Sequence, residues 1–209
     1  MPPATQPSLS LPEKIASQAE FIVNNFSETR YTHDENINVA TRVYDCDCSE
    51  FVGFVLEKVA PHHYSLIAKT VPPPRPLAFD YYTFFSKLTP ESTGGWKRID
   101  ALAEARRGDV IAWRAPEIEP KHNTGHCFFV GETPIANGSG IYAVRVYDSA
   151  AAPHFNDTRS GAETGVGTGF INFQVDGEGR PVAFQFGPSP DADSFVSWEI
   201  SIGRVEPLS

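Results

Sequence analysis

Apolar residues stand at helical spacing in the first half of the chain and in short alternating runs in the second. In "SLPEKIASQAEFIVNNF", residues 10–26, Ile15, Ala19, Ile22, Val23 and Phe26 recur at helical intervals and are expected to face a core. Ser10 and Glu13 have the spacing of a capping box, and Pro12 suits a first turn. "SETRYTHDENINVATRVYD", residues 27–45, reads as polar and turn-like. From Ser49 onward Phe51, Val52, Val55, Leu56 and Val59 make a second helical stripe, which Pro61 stops. "TVPPPRPLAFDYYTFF" begins as a proline-stiffened surface connector, and a short aromatic helix is expected over about residues 77–88.

After Gly108 the period changes. "DVIAWR", "GHCFFVGE", "GIYAVRVYDSA", "GFINFQVD", "PVAFQFG" and "VSWEISIGRV" are rich in β-branched and aromatic residues and punctuated by Gly, Pro, Asn and Asp. "DGEGRP" between the fourth and fifth runs signals a hairpin. Helices first and an antiparallel sheet of about six strands second is an α+β order. The chain is expected to be one domain over 1–209, with a tail (1–9), a mainly helical part (10–107) and a β part (108–209).

The 209 residues suffice for one real core, and 41% hydrophobic content excludes a disordered chain. Net charge is −9 with no basic block, so nucleic acid is not an expected partner. No stretch is long and apolar enough to span a membrane, and "MPPATQPSLSLPEK" lacks the charged-then-apolar order of a signal peptide. Oligomeric state is not legible.

Two of only three cysteines fall in "RVYDCDCSEFVGFVLEKVAP", at the mouth of the second helix. A thiol in a helix's first turn meets unpaired N–H groups and the positive end of the dipole, which favour the thiolate. Cys48 is placed there. Among six histidines, His126 opens the run "HCFFV" after Gly125. Alternation puts His126, Phe128 and Val130 on one face and Cys127 and Phe129 on the other. Phe128 and Val130 are expected to press on the helix, which aims His126 at Cys48. In the next run Tyr142, Val144, Val146 and Asp148 share a face, so Asp148 would end the inward row beside His126 and orient its imidazole.

With these residues in place, "DCSEFVGFVL" resembles the Asp-Cys-Ser-Gly-Phe-Val signature of the NlpC family of papain-like bacterial cell-wall peptidases. "RRGDVIAWR" resembles that family's Pro-Gly-Asp strand, and "NTGHCFFVGE" its His-bearing strand. The resemblance spans about residues 44–150, with the motifs in the family's order. It implies a papain-like fold and an amide-bond hydrolase acting on small peptides, often of peptidoglycan, without a metal or organic cofactor. Cys48 would be the nucleophile, His126 the base and Asp148 the third member. Glu50 stands where the signature has Gly, and the family's third residue is more often His, Asn or Gln. The segment before the cysteine helix would line the oxyanion hole or a substrate pocket. Tyr31, His33, Tyr44, Cys46 and Ser49 are therefore expected around the substrate, with Cys46 at the rim of the cleft.

Other readings stay open. An acyltransferase would need the same nucleophile, base and oxyanion hole, and a binding module could use the same cleft without chemistry. A zinc site at "DCDC" would need Cys127 and histidines to complete four ligands. His62 and His63 fit a cationic cap on the preceding helix, and His122 a loop over the site. His154 is a reserve site residue, and Cys127 a small buried hydrophobe. Trp96, Trp113 and Trp198 fit core or cleft walls. "TGVGTG", residues 164–169, reads as a flexible connection.

Overall fold

Ser10 caps the first helix as its spacing predicts. In the computed structural model, which describes residues 8–72, 74–119, 123–188 and 195–208, Glu13 N donates to Ser10 Oγ and Ser10 N donates to the Glu13 carboxylate. Helix α1 (Leu11–Asn25) buries Ile15, Ala16, Ala19, Ile22 and Val23. Phe26 follows its last turn in extended backbone and is exposed, not turned to the core. Residues 1–7 of the expected tail, and His122, lie outside the described residues.

The polar stretch that follows is not only turns. It forms β1 (Glu28–Arg30), β2 (Asn36–Asn38) and β3 (Val43–Asp45), a small sheet with β3 in the middle and β1 parallel to it. Three-residue strands carry too few positions for alternation to show. Next come α2 (Cys48–Val59), α3 (Pro61–Ala68) and α4 (Ala78–Ser86), the aromatic helix. Pro61 both ends α2 and opens α3, where the missing N–H of proline costs nothing. His62 and His63 thus sit in the first turn of α3 and do not cap α2. His63 instead bonds the Glu206 carbonyl through Nε2 at 2.8 Å and meets the Trp96 ring edge-on.

The large sheet has eight strands: β4 (Trp96–Ile99), β5 (Val110–Glu119), β6 (Asn123–Val130), β7 (Ile135–Ala136), β8 (Ile141–Ala150), β9 (Gly165–Val175), β10 (Pro181–Gln185) and β11 (Glu199–Val205). Its order is β10-β9-β8-β6-β5-β11-β4, antiparallel throughout, with β7 paired to β8. It exceeds the expected six because β4 ("WKRI") and β7 ("IA") are too short or too polar to show a period of two. "TGVGTG" is not a flexible connection: Gly165, Gly167 and Gly169 are paired with β8. The β9–β10 hairpin turns through Asp176–Arg180 as read. A bridge between Phe184 and Val196 brings the β10 edge to the segment entering β11, so the sheet curls on itself.

The curl makes two apolar clusters. Ile111, Trp113, Phe128, Val130, Val146, Ile171 and Phe173 fill one. The helices fill the other against the opposite face of the sheet, where Cys127, Phe129 and Tyr147 meet Phe51, Val55 and Phe85. The alternation in β6 is right but its sides are reversed: Cys127 and Phe129 press on the helices, and Phe128 and Val130 fill the curl. Among the described residues no helix is long and apolar enough to cross a membrane.

Candidate active site

Cys48 is the first residue of α2, and the turn that holds it is fixed by its neighbours. Asp47 caps the helix: its Oδ1 accepts from Glu50 N at 2.9 Å, and Asp47 N donates to Glu50 Oε2 at 2.8 Å. This reciprocal box is what Glu50 provides in place of the signature's glycine. A third party locks it. Arg75, from the proline-rich connector, donates Nη2 to Asp47 Oδ2 and Glu50 Oε1 at 2.8 Å each, and Nη1 to Ser49 Oγ at 2.6 Å. Burial would raise the Asp47 carboxyl, but Arg75, the Glu50 N–H and His33 hold it below its usual range. Glu50 is raised by burial and by the charge of Asp47.

Arg75→Ala is therefore expected to destabilise the protein by about 2 kcal/mol at neutral pH, less than a wholly enclosed pair because the arginine side chain keeps 19% exposure. The deficit should shrink as pH falls and Glu50 takes up a proton. Denaturant melts at two pH values check this; a deficit that grows on acidification contradicts it.

His126 and Asp148 meet where the sheet opens. Strands β6 and β8 pair only at Phe129↔Tyr147 and Val130↔Val146, then part. Past that point Ser149 Oγ on β8 donates to the Cys46 carbonyl at 2.7 Å, tying the approach to α2 into the gap. His126 Nε2 bonds Asp148 Oδ2 at 2.7 Å, which leaves Nδ1 for Cys48. Next to His126, Gly125 has φ +116°, and a Cβ there would lie 1.9 Å from the Trp113 carbonyl. Only glycine lets β6 approach β5 so closely at the base. Trp113, Phe128 and Phe186 surround the imidazole, their ring centroids 5.3–5.8 Å away.

Asp148 is fully buried and bears more than one partner. His154 Nε2 bonds the same Oδ2 at 2.7 Å, and Arg159 Nη2 donates to Oδ1 at 2.9 Å. Arg159 is in turn held by Asp157 at 2.8 Å. His154 Nδ1 faces the Phe186 carbonyl at 2.9 Å, so both of its ring nitrogens face acceptors and both bonds form only when both carry hydrogen. Burial would raise Asp148, yet the charges of His154 and Arg159 and the bond from His126 hold it well below the usual carboxylate range.

The three thiols, all free and buried, are sharply unequal. A hydrogen bond from Cys127, set against the cost of burial, together with the charge and hydrogen bond of His126, pulls Cys48 down to about 6. Burial disfavours a charged His126, but the Cys48 thiolate and the bond to Asp148 outweigh it and lift the imidazole to about 10. Burial pushes Cys46 and Cys127 up, so both stay thiols at neutral pH. The result is a thiolate–imidazolium pair at Cys48 and His126.

Cys48 opens on a cleft of about 1,180 Å³ lined also by Tyr31, His33 and Ser49. Tyr31 is half-buried, and desolvation together with the nearby charges of Cys48 and Asp47 pushes its phenol far above the ordinary range, so it remains a donor. His33 bonds Asp47 at 3.0 Å. Two expected substrate residues are elsewhere. Tyr44 is buried against Phe54, and Cys46, expected at the rim, has no exposed surface. Both belong to the inward side of the stretch that leads into α2. The sequence marks neither Arg75 nor Arg159, and it marks Cys127 as a small buried residue, not as a partner of Cys48. The D-x-x-E spacing of Asp47 and Glu50 is a legible cap signal, and the sequence offers His154 as a reserve site residue.

Ligand atoms of His126, Asp148 and His154 lie within 4.8 Å of one another, a set that could hold a metal ion. Both imidazoles already satisfy one Asp148 oxygen and a guanidinium holds the other, so the set is a closed hydrogen-bond network and the neighbouring cation opposes a metal. Comparison with protein-family models, with curated proteins and with solved structures gives no match.

Proposed function

We propose that this protein is a cysteine hydrolase of papain-like type that cleaves an amide bond of a small peptide-like substrate. The observation that carries the reading is the line Cys48–His126–Asp148: a thiol at a helix N-terminus, charge-paired with an imidazole whose far nitrogen bonds a buried carboxylate at 2.7 Å. The Cys48 sulfur attacks the carbonyl carbon, and the C–O π pair moves onto oxygen. The Cys48 N–H, one of the donors that α2 leaves unpaired, and the Tyr31 hydroxyl face the oxyanion. As the C–N bond breaks, His126 gives its proton to the leaving nitrogen. Water, losing a proton to His126, then hydrolyses the thioester and frees Cys48. Asp148 keeps the imidazole oriented throughout, and His154 and Arg159 keep Asp148 in place. Asp34, Glu35, Glu57 and Asp80 line the cleft and favour a positively charged acyl half.

The pair sets the pH range. The thiolate forms as pH rises through about 6, and the imidazolium is lost through about 10, so turnover should be bell-shaped between these limits. Acid-quenched incubation with p-nitrophenyl acetate, followed by peptide mapping, should find the acetyl group on Cys48. Acetylation at surface lysines alone would overturn the reading.

A further inference from the structure

His126 borders a second cavity, distinct from the acidic cleft. It measures about 280 Å³, and its walls include Trp113, Phe184, Phe186, Val196 and Trp198. Trp113 and Phe184 stack at 3.9 Å between centroids, and Trp198 meets Phe184 edge-on at 5.6 Å, so the floor is a fixed aromatic surface. Among the described residues the lining holds no Asp, Glu, Lys or Arg. Tyr31 and Gly125 border both cavities, which therefore adjoin across the reacting pair.

The chemistry decides which half of the substrate each cavity receives. Sulfur bonds the carbonyl carbon, so the acyl half lies along the cleft that Cys48 lines. The proton goes from His126 to the leaving nitrogen, so the leaving amine lies against His126. We propose that the aromatic cavity is the leaving-group pocket and that the amine released carries an apolar, preferentially aromatic, side chain. This rests on the hydrolase reading. At about 280 Å³ the cavity is smaller than the roughly 300–1,000 Å³ of sites for whole ligands, so it takes one side chain of a larger substrate. A charged side chain there would lose its water without gaining a counter-charge from the described lining residues.

The test is a peptide mixture in which only the residue after the scissile bond varies, with products read by mass spectrometry. Beside it, phenylalaninamide and lysinamide are titrated against the tryptophan fluorescence of Cys48→Ala. New N-termini should be Phe, Tyr, Leu or Ile. Trp198→Ala should cut the preference for Phe over Lys about tenfold. Val196 is exposed at the edge of the cavity, and Val196→Asp should turn the preference toward Lys. Cleavage that ignores this residue overturns the pocket and leaves the hydrolase standing. No cleavage, with phenylalaninamide alone changing the fluorescence, sinks the hydrolase and with it the leaving-group role, and leaves only a binding site for an aromatic amine. No cleavage and no fluorescence response overturns both.

Discussion

His126→Ala should lower turnover on a peptide or ester substrate by about a thousandfold or more, while slowing iodoacetamide alkylation of Cys48 at neutral pH only about fivefold. The two numbers differ for a physical reason. Without the imidazolium, Cys48 moves up toward the ordinary thiol range, and the thiolate fraction at neutral pH drops by up to about a hundredfold. A less acidic thiol yields a more nucleophilic thiolate, which restores about twentyfold of that loss. Alkylation needs only the sulfur. Turnover also needs a proton on the leaving nitrogen and a base for the deacylating water, and alanine supplies neither. Parallel losses in both assays would mean that His126 only tunes the thiol. Unchanged turnover would remove it from the mechanism.

Asp148→Asn should produce the largest loss of stability. The carboxylate has no exposed surface and is the shared partner of His126, His154 and Arg159. Asparagine keeps the volume and removes the charge, leaving the cations facing a neutral amide. Breaking a buried network in this way costs about 3–5 kcal/mol, or about 6–20 °C in Tm for a chain of this size. The sign with pH follows from the low pKa of Asp148. Its contribution is fully present above the unfolded carboxylate value of 3.8 and is lost as pH falls through the lower folded value. The gap between wild type and variant should therefore be widest near neutrality and close only in strong acid. Thermal melts from pH 7 downward measure it, and a gap that closes by pH 5 would place the stabilising charge elsewhere.

What the sequence disclosed depended on how local each cause was. The capping box at Ser10, the α2 stripe and the β9–β10 hairpin are set by residues close in the chain, and all were legible. Cys48 was legible because a cysteine at a helix mouth has a distinct chemistry whatever surrounds it. The alternation within β6 and β8 was legible too, since it depends only on the pleat. Which face met the helices was not, because that follows from the curl of the whole sheet. The separation of β6 from β8 beyond Phe129 and Tyr147 is likewise a long-range outcome. Arg159 returns to Asp148 through the bend after β8, and Arg75 reaches Asp47 from 28 residues away. Nothing in their own neighbourhoods marks those partners. Cys127 looked like a small core residue, and it is one; only the approach of α2 makes its thiol a hydrogen-bond donor to Cys48.

The central claim is that one of three buried cysteines is held as a thiolate. It is tested most directly by the rate of iodoacetamide alkylation at each cysteine from pH 4 to 10, read by peptide mass spectrometry on the native protein. Cys48 should react alone, with a midpoint near 6, while Cys46 and Cys127 stay unmodified until the protein unfolds. A Cys48 midpoint in the ordinary thiol range, or equal labelling of all three, would contradict the thiolate–imidazolium pair and the hydrolase with it.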